Sequence, residues 1–200
     1  MAPTYGEWKI DFSEYVNYSR LNIIMLLSSC FETYLRTVVS LSFESKPGVI
    51  INCQDAVDGA ALLKRDIMYG NMNDKVYRFG ELIEEVCRGE WTNRFYAFQK
   101  YFGKLPSKLL DLTKDLDELR VTRNNLGHYF GRRKDEYSAP IDFEPIETIR
   151  ISHERILKYF KLIYAAAKMI DDYLHKNIIG SYDIIKKYFY SLSNGEILTD

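Results

Sequence analysis

The chain has 200 residues, of which 46% are hydrophobic and 14% aromatic, and its 27 basic and 28 acidic residues give a formal net charge of −1. This composition excludes an intrinsically disordered chain, which would have few apolar residues and a high net charge. It also excludes a protein that coats nucleic acid through bulk positive charge, so any contact with nucleic acid has to be local. We expect a single domain over residues 1–200, with a core at about 11–178 and a C-terminal helix and tail at 179–200.

The three cysteines, Cys30, Cys53 and Cys87, lie far apart and form no CxxC pair. Such spacing predicts neither a disulfide framework nor a zinc site. The N-terminus lacks a basic region followed by an apolar core, and the longest apolar run, 21–31, is shorter than the about 20 residues that span a bilayer. We therefore expect a cytoplasmic protein that makes no membrane contact and needs no metal or other cofactor.

Apolar residues recur at steps of three and four along most of the chain, and strand-like alternation is hard to find, which predicts an all-α helical bundle. The first helix is expected to begin near Asp11 and Ser13, which are good N-cap residues, and to end before Pro47. Shorter helices are predicted at 52–69, 74–88 and 93–102. The first helix is expected to bury one apolar stripe: Phe12, Val16, Ile23, Leu26, Cys30, Tyr34, Val38 and Leu41.

Two long later helices each carry a polar residue within an apolar stripe. The first is predicted to begin near Ser107, and Arg123 occupies a position where leucine is expected. The second is predicted to begin at Pro145, a residue suited to a first helical turn, and His153 interrupts its stripe as a buried core or interface histidine. A last short helix is predicted at 182–192.

Residues 120–134 contain five Lys or Arg and no acid, in a chain whose charges otherwise balance. The planar guanidinium of Arg123 suits a phosphate, and His128 can exchange a proton near neutral pH. If the ligand is RNA, the ribose 2′-hydroxyl is itself a nucleophile, so cleavage needs only proton transfer and charge stabilisation, without a metal. The segment therefore points to phosphodiester chemistry on RNA.

The spacing of Arg123 and His128 decides whether their side chains can point in the same direction. Five residues on a helix correspond to about 140° of rotation, so Arg123 and His128 would face different ways, whereas Asn124 and His128 would share a face. We expect Gly127 to end the helix, which would place His128 in the following turn and let both side chains point into one cleft.

The motif Arg123-Asn124-Asn125-Leu126-Gly127-His128, in this helical setting, resembles the HEPN superfamily, whose all-helical members carry Arg and His separated by four to six residues. The similarity in helix order covers roughly residues 11–178. It implies a metal-independent endoribonuclease that acts as a homodimer, with a site composed from two copies of the motif. It also implies a toxin–antitoxin or phage-defence setting, with an antitoxin or another defence-system protein as partner.

The resemblance also implies roles for individual residues. Arg123 would stabilise the scissile phosphate, His128 would transfer a proton and Asn124 would orient the site, giving cyclic-phosphate ends. Glu32 would be a supporting acid on the first helix, although it could equally form a surface pair with Arg36. The residues expected to contact RNA are Arg120, Tyr129, Arg132 and Arg133.

One departure from the family pattern concerns regulation. In HEPN toxins controlled by a nucleotidyltransferase antitoxin, the motif continues His-x-Tyr and that tyrosine is modified, whereas this chain has Phe130 there and Tyr129 one place earlier. That mode of control is therefore in doubt.

Two alternatives to the ribonuclease remain open from the sequence. A HEPN-type module without catalytic activity would use the same basic segment to bind a nucleotide, RNA or a protein. A helical interaction protein would use Arg123 only to specify helix pairing, as a polar residue in an apolar seam can.

Overall fold

The computed structural model describes residues 4–50, 79–129 and 148–193, and within these ranges the chain is helical with no strand. The predicted all-α class is therefore confirmed. The helix expected at 52–69 and the first part of the one expected at 74–88 lie outside the described residues.

Seven α-helices occur in the described ranges, together with a 3₁₀ turn at Pro47–Ile50 and a π-helical turn at His175–Ile179. Gly103, with φ of +93°, ends the third helix in a conformation that favours glycine. The helices predicted at 93–102 and 182–192 are confirmed to within two residues. The helices are α1 Tyr5–Ser45, α2 Gly80–Cys87, α3 Trp91–Phe102, α4 Ser107–Leu110, α5 Thr113–Tyr129, α6 His153–Leu174 and α7 Tyr182–Ser193.

The chain divides into two compact units, and each combines segments that are distant in sequence. Unit 1 comprises residues 1–33 and 111–167, and unit 2 comprises residues 34–110 and 168–200. The helices α1 and α6 each contribute one part to both units. The single HEPN-like domain predicted from the sequence stays a prediction.

The core of unit 1 is made by apolar residues of α1, α5 and α6. The single helix predicted from Ser107 is interrupted at residues 111–112, so that start is wrong for α5, but the stripe is confirmed at the buried Leu116, Leu119 and Leu126. Tyr159 of α6 is fully buried, with its hydroxyl 3.0 Å from Glu118. Burial of this apolar surface stabilises the unit. The buried residues are Leu21, Ile24 and Phe31 of α1, Leu116, Leu119 and Leu126 of α5, and Ile156, Tyr159, Leu162 and Ala166 of α6.

The core of unit 2 is largely aromatic. The ring of Phe43 stacks on Phe79 with centroids 5.2 Å apart and packs against Phe102 at 4.9 Å. Phe98 also contacts Phe102, and the hydroxyl of Tyr173 donates to the Phe102 carbonyl oxygen. Ring pairs at these distances add to the stabilisation that their buried area provides.

The helix α1 begins at Tyr5, six residues before the predicted caps. The backbone N–H of Thr4 donates to Glu7 Oε2 at 2.7 Å, and the Glu7 N–H donates to Thr4 Oγ1 at 3.3 Å. This reciprocal pair is a capping box, and it satisfies two amide groups that a helix start leaves free. The predicted start near Asp11 is therefore wrong.

The stripe predicted to be buried on α1 is largely wrong. Phe12, Ile23, Leu26 and Cys30 are exposed. Apolar residues lie on more than one face of this helix, so spacing alone could not show which row meets the core. The buried row is Leu21, Ile24, Ser28, Phe31, Leu35, Val39, Ser42 and Phe43.

The helix α6 begins at His153, and residues 148–152 are not helical. The hydroxyl of Ser152 accepts a hydrogen bond from the Arg155 N–H at 3.2 Å, which makes Ser152 the N-cap. The start predicted at Pro145 is therefore wrong. The buried row of α6 runs through Ile156, Tyr159 and Leu162, and His153 is exposed, so it is not a core histidine of this chain. Its placement at an interface stays a prediction.

One property of α1 bears on localisation. An 18-residue window of this helix has a mean hydropathy of 1.3, enough to pass a length-and-composition test for a membrane-spanning helix. About 33% of that window is buried inside the protein, and core helices of soluble proteins pass the same test. The finding is weak evidence for a membrane span, and the prediction of a cytoplasmic protein without membrane contact stays a prediction.

Candidate functional site

The candidate site begins with Arg123, which projects from α5 between the buried residues Leu119 and Leu126. Its side chain is 33% exposed, and its Nη2 lies 3.6 Å from Glu32 Oε2 on α1. Its Nη1 donates to the Asn124 Oδ1 at 3.2 Å. The guanidinium is therefore held from two sides and has a defined position in unit 1.

One atom of this guanidinium is left unsatisfied. The Nε of Arg123 is buried and has no hydrogen-bond partner within the described residues. A buried donor without a partner carries a desolvation cost, and such atoms in folded proteins call for an explanation. An incoming acceptor such as a phosphate oxygen would satisfy it if the local packing opened to admit one.

Glu32 lies where the resemblance suggested a supporting acid. Its carboxylate faces Arg123, whereas Arg36, the alternative partner considered from the sequence, pairs with Glu84 in unit 2. The hydrogen bond from Arg36 holds the pKa of the Glu84 carboxyl below its usual range. The structure thus brings Glu32, Arg123 and Asn124 together.

The expectation that Gly127 ends the helix is wrong. The helix α5 continues through His128 to Tyr129, and Gly127 does not adopt a positive φ. A glycine inside a helix costs about 1 kcal/mol relative to alanine, which the burial of Leu126 beside it can offset. A Cβ at Gly127 would lie 3.6 Å from Met25 Cε, an ordinary contact with α1.

The continuous helix decides how the motif is arranged. Arg123 and His128 diverge by about 140° around α5, whereas Asn124 and His128 stand one turn apart on one face. Arg123 faces α1, and His128 is exposed. Within one chain, therefore, the arginine and the histidine of the motif do not meet in one cleft.

The structure places the remaining predicted residues as follows. Arg120 Nε lies 2.8 Å from the Asp117 carboxylate, so the two arginines of α5 both have acidic partners. The positive charges of Arg120 and Arg123 are therefore balanced by these two carboxylates. Tyr129 is the last residue of α5, and Phe130, Arg132 and Arg133 lie outside the described residues.

A polar network between α5 and α6 was not found from the sequence. The buried Tyr159 hydroxyl accepts from Arg155 Nε at 3.0 Å and lies 3.3 Å from the Thr122 hydroxyl, and Arg155 also contacts Glu118 at 2.9 Å. The hydrogen bond to Tyr159, with further help from Glu118, raises the pKa of Arg155. This network joins α5 to α6 next to Arg123.

No group of three or more His, Cys, Asp or Glu side chains in the described ranges is arranged to hold a metal ion. No family model, curated protein or solved structure matches the chain. The resemblance to the HEPN superfamily therefore depends on the motif and its helical setting alone.

Proposed function

We propose that this chain is a metal-independent endoribonuclease of HEPN type that acts as a homodimer. The observation that carries the proposal is the half-buried Arg123, held by Glu32 and Asn124 with its Nε unsatisfied, five residues before the exposed His128 on the same helix. A fixed guanidinium is suited to stabilising the charge of a phosphorane. The setting we propose is toxin–antitoxin or phage defence, with an antitoxin or another defence protein as partner.

The divergence of the motif residues makes two chains necessary for catalysis. An isologous dimer repeats the same surface on both subunits, so it can place His128 of the partner subunit opposite Arg123 of the first. Each of the two sites would then take its arginine from one protomer and its histidine from the other. Asn124 would hold the guanidinium in place through the hydrogen bond that it accepts.

The proposed reaction is an internal transfer at phosphorus. His128 removes the proton of the ribose 2′-hydroxyl, whose oxygen attacks the adjacent phosphorus while Arg123 stabilises the added negative charge. The bond to the 5′-oxygen breaks, this oxygen takes up a proton from water as it leaves, and His128 returns the proton that it removed to the solvent. The products are a 2′,3′-cyclic phosphate and a 5′-hydroxyl, and no metal or oxidant is consumed.

Incubation of the purified chain with mixed cellular RNA in EDTA tests the proposal. We expect cleavage with cyclic-phosphate ends, and a loss of about 10²- to 10⁴-fold in rate for His128→Ala, since proton transfer contributes that much. His153→Ala is the matched control, because His153 is also an exposed histidine of unit 1. Cleavage that EDTA abolishes, or that His128→Ala retains, would contradict the proposal.

A second candidate function is supported by the same geometry. Arg123 is already paired with Glu32 and diverges from His128, an arrangement that also suits a binding module without catalysis. If wild type and His128→Ala bind RNA equally and neither cleaves it, this alternative replaces the ribonuclease.

A further inference from the structure

The N-terminal part of α1 carries a row of exposed aromatic rings. Tyr5, Trp8, Phe12 and Tyr15 follow one another at steps of three and four, so they lie along one face of the helix, and each is more than half exposed. Trp8 and Phe12 stack with centroids 5.4 Å apart at an interplanar angle of 12°, and Tyr5 stacks on Trp8 at 6.3 Å. Contiguous exposed apolar surface of this kind marks interaction sites.

A cationic cavity lies directly beside this row. It is an open cavity with a volume of about 350 Å³, and Phe12 forms part of its wall. Lys9, Arg20 and Arg150 line it, and none of its eight described lining residues is acidic. The lining side chains therefore favour an anion, and Glu14 beside Arg150 and Glu154 near Arg20 reduce this preference without lining the cavity.

The buried side chain of Asn17 holds one wall of the cavity in place. Asn17 is only 4% exposed, and its amide nitrogen donates to the Ile149 carbonyl oxygen at 3.1 Å while its oxygen accepts from the Ile151 N–H at 3.1 Å. These two hydrogen bonds fix residues 149–151 along α1. Arg150, which lies between them, is thereby placed at the cavity wall.

The three cations retain capacity to bind a ligand. Arg20 donates one hydrogen bond to the Ile151 carbonyl oxygen at 3.3 Å, which occupies only one of its five donors. Arg150 pairs with Glu14, and because both side chains are largely exposed the pair is weak and easily exchanged. Lys9 has no ion-pair partner in the part of the chain that the structure describes.

We propose that this cavity and the adjoining aromatic row bind single-stranded RNA, with a phosphate at Lys9, Arg20 and Arg150 and bases stacked on Phe12 and Trp8. Proteins that bind single strands combine a positive groove with aromatic rings on which successive bases stack. An acidic peptide would use the cations and leave the stacked rings unused. A free nucleotide would use one ring, whereas the row continues past the cavity to Tyr5.

This proposal goes beyond the proposed cleavage, and it would also hold for a protein that binds RNA without cutting it. The test uses the full chain and a fluorescent single-stranded 2′-O-methyl RNA, which lacks the nucleophilic hydroxyl and cannot be cleaved by 2′-hydroxyl attack. Its dissociation constant is measured over a series of salt concentrations. Because this RNA cannot be cleaved, the experiment measures binding independently of cleavage.

The matched variants come from α1 and α6. Phe12→Ala is compared with Phe160→Ala, because both phenylalanines are 53% exposed. Lys9→Glu is compared with Lys161→Glu, because both lysines are exposed on helices of unit 1. We expect Phe12→Ala to weaken binding at least about fivefold and Phe160→Ala to leave it unchanged. Lys9→Glu should weaken binding and lower the slope of log affinity against log salt by about one, unlike Lys161→Glu.

The result that would overturn the site is equal binding by each variant and its matched control. Competition by adenosine monophosphate distinguishes a site for single-stranded RNA from a site for a free nucleotide. If affinity rises with oligonucleotide length and the monophosphate competes poorly, the single-strand assignment is supported. If the monophosphate binds as tightly as the oligonucleotide, the site takes free nucleotides and the single-strand assignment is overturned.

Discussion

The helix α3 and the first third of α1 are both rich in aromatic residues, but they use them in opposite ways. Within α3, five aromatic side chains are buried in the core of unit 2, and Tyr96 is the exposed one. Within residues 5–18 of α1, the aromatic side chains are all exposed. The difference shows that an aromatic run at helical spacing does not by itself identify core. The buried residues of α3 are Trp91, Phe95, Phe98, Tyr101 and Phe102.

The largest expected effect is on the free energy of unfolding, and it is seen by replacing one phenylalanine in each of the two helices. Phe98→Ala removes a ring that is almost fully buried, and we expect it to lower the free energy of unfolding by about 3–5 kcal/mol. Phe12→Ala should change it by no more than about 0.5 kcal/mol, because the ring is half exposed. Urea denaturation measures both. Similar losses would show that Phe12 is buried in solution and would break the comparison.

A smaller loss is expected at the asparagine that joins α1 to residues 149–151. Asn17→Ala leaves the part-buried Ile149 carbonyl oxygen and the buried Ile151 N–H without these partners, so we expect a loss of about 1–3 kcal/mol in the free energy of unfolding. It should also weaken RNA binding through Arg150. Asn22→Ala is the control on the same helix, because Asn22 is exposed. Equal stability of the two variants would show that the hydrogen bonds of Asn17 do not stabilise this region.

The smallest effect concerns how the two helices begin. The start of α3 has no side-chain cap, whereas α1 begins with the Thr4–Glu7 capping box. Thr4→Ala should cost about 1 kcal/mol and fray the helix around Tyr5 and Trp8. Amide hydrogen exchange at residues 5–9 measures the fraying. Unchanged protection there would show that tertiary contacts hold this end.

The same cap makes a prediction about pH. Hydrogen bonds from the Thr4 backbone and side chain hold the pKa of the Glu7 carboxyl below its usual range. Because the folded-state pKa is lowered, the stabilisation is present above the ordinary glutamate pKa and is lost as the pH falls through the lowered value. NMR titration should show the Glu7 pKa moving up toward its usual range in Thr4→Ala. The Thr4 backbone N–H, the larger of the two causes, is retained in this variant, so an unchanged pKa would show that the Thr4 hydroxyl does not contribute to the lowering.

The sequence predicted those parts of the fold in which one apolar row is clear. The leucine stripe of α5 and the last helix belong to this group. The buried face of α1 was not predictable, because apolar residues lie on several of its faces and the partner helices decide which one is covered. The start of α6 was missed because Asn17, more than 130 positions earlier, holds residues 149–151 out of the helix.

The residues of the candidate site were named from the sequence and stay predictions, whereas their arrangement in space came from the structure. The resemblance named Glu32 only as a supporting acid, and its position 3.6 Å from Arg123 came from the structure, because the two residues are far apart in sequence. The continuation of α5 beyond Gly127 was missed, since glycine is common both at helix ends and inside helices that pack closely. The cationic cavity was missed because Arg150 joins Lys9 and Arg20 only in the folded unit.

The central claim is that each site takes Arg123 from one protomer and His128 from the other. Refolding a mixture of Arg123→Ala and His128→Ala chains tests it most directly, with native mass spectrometry to show that mixed dimers form. Each variant alone should be inactive, and the mixture should recover about a quarter of wild-type cleavage, because half of the dimers are mixed and each has one intact site. A mixture that forms mixed dimers and stays inactive, or a wild-type monomer with full activity, would contradict the account.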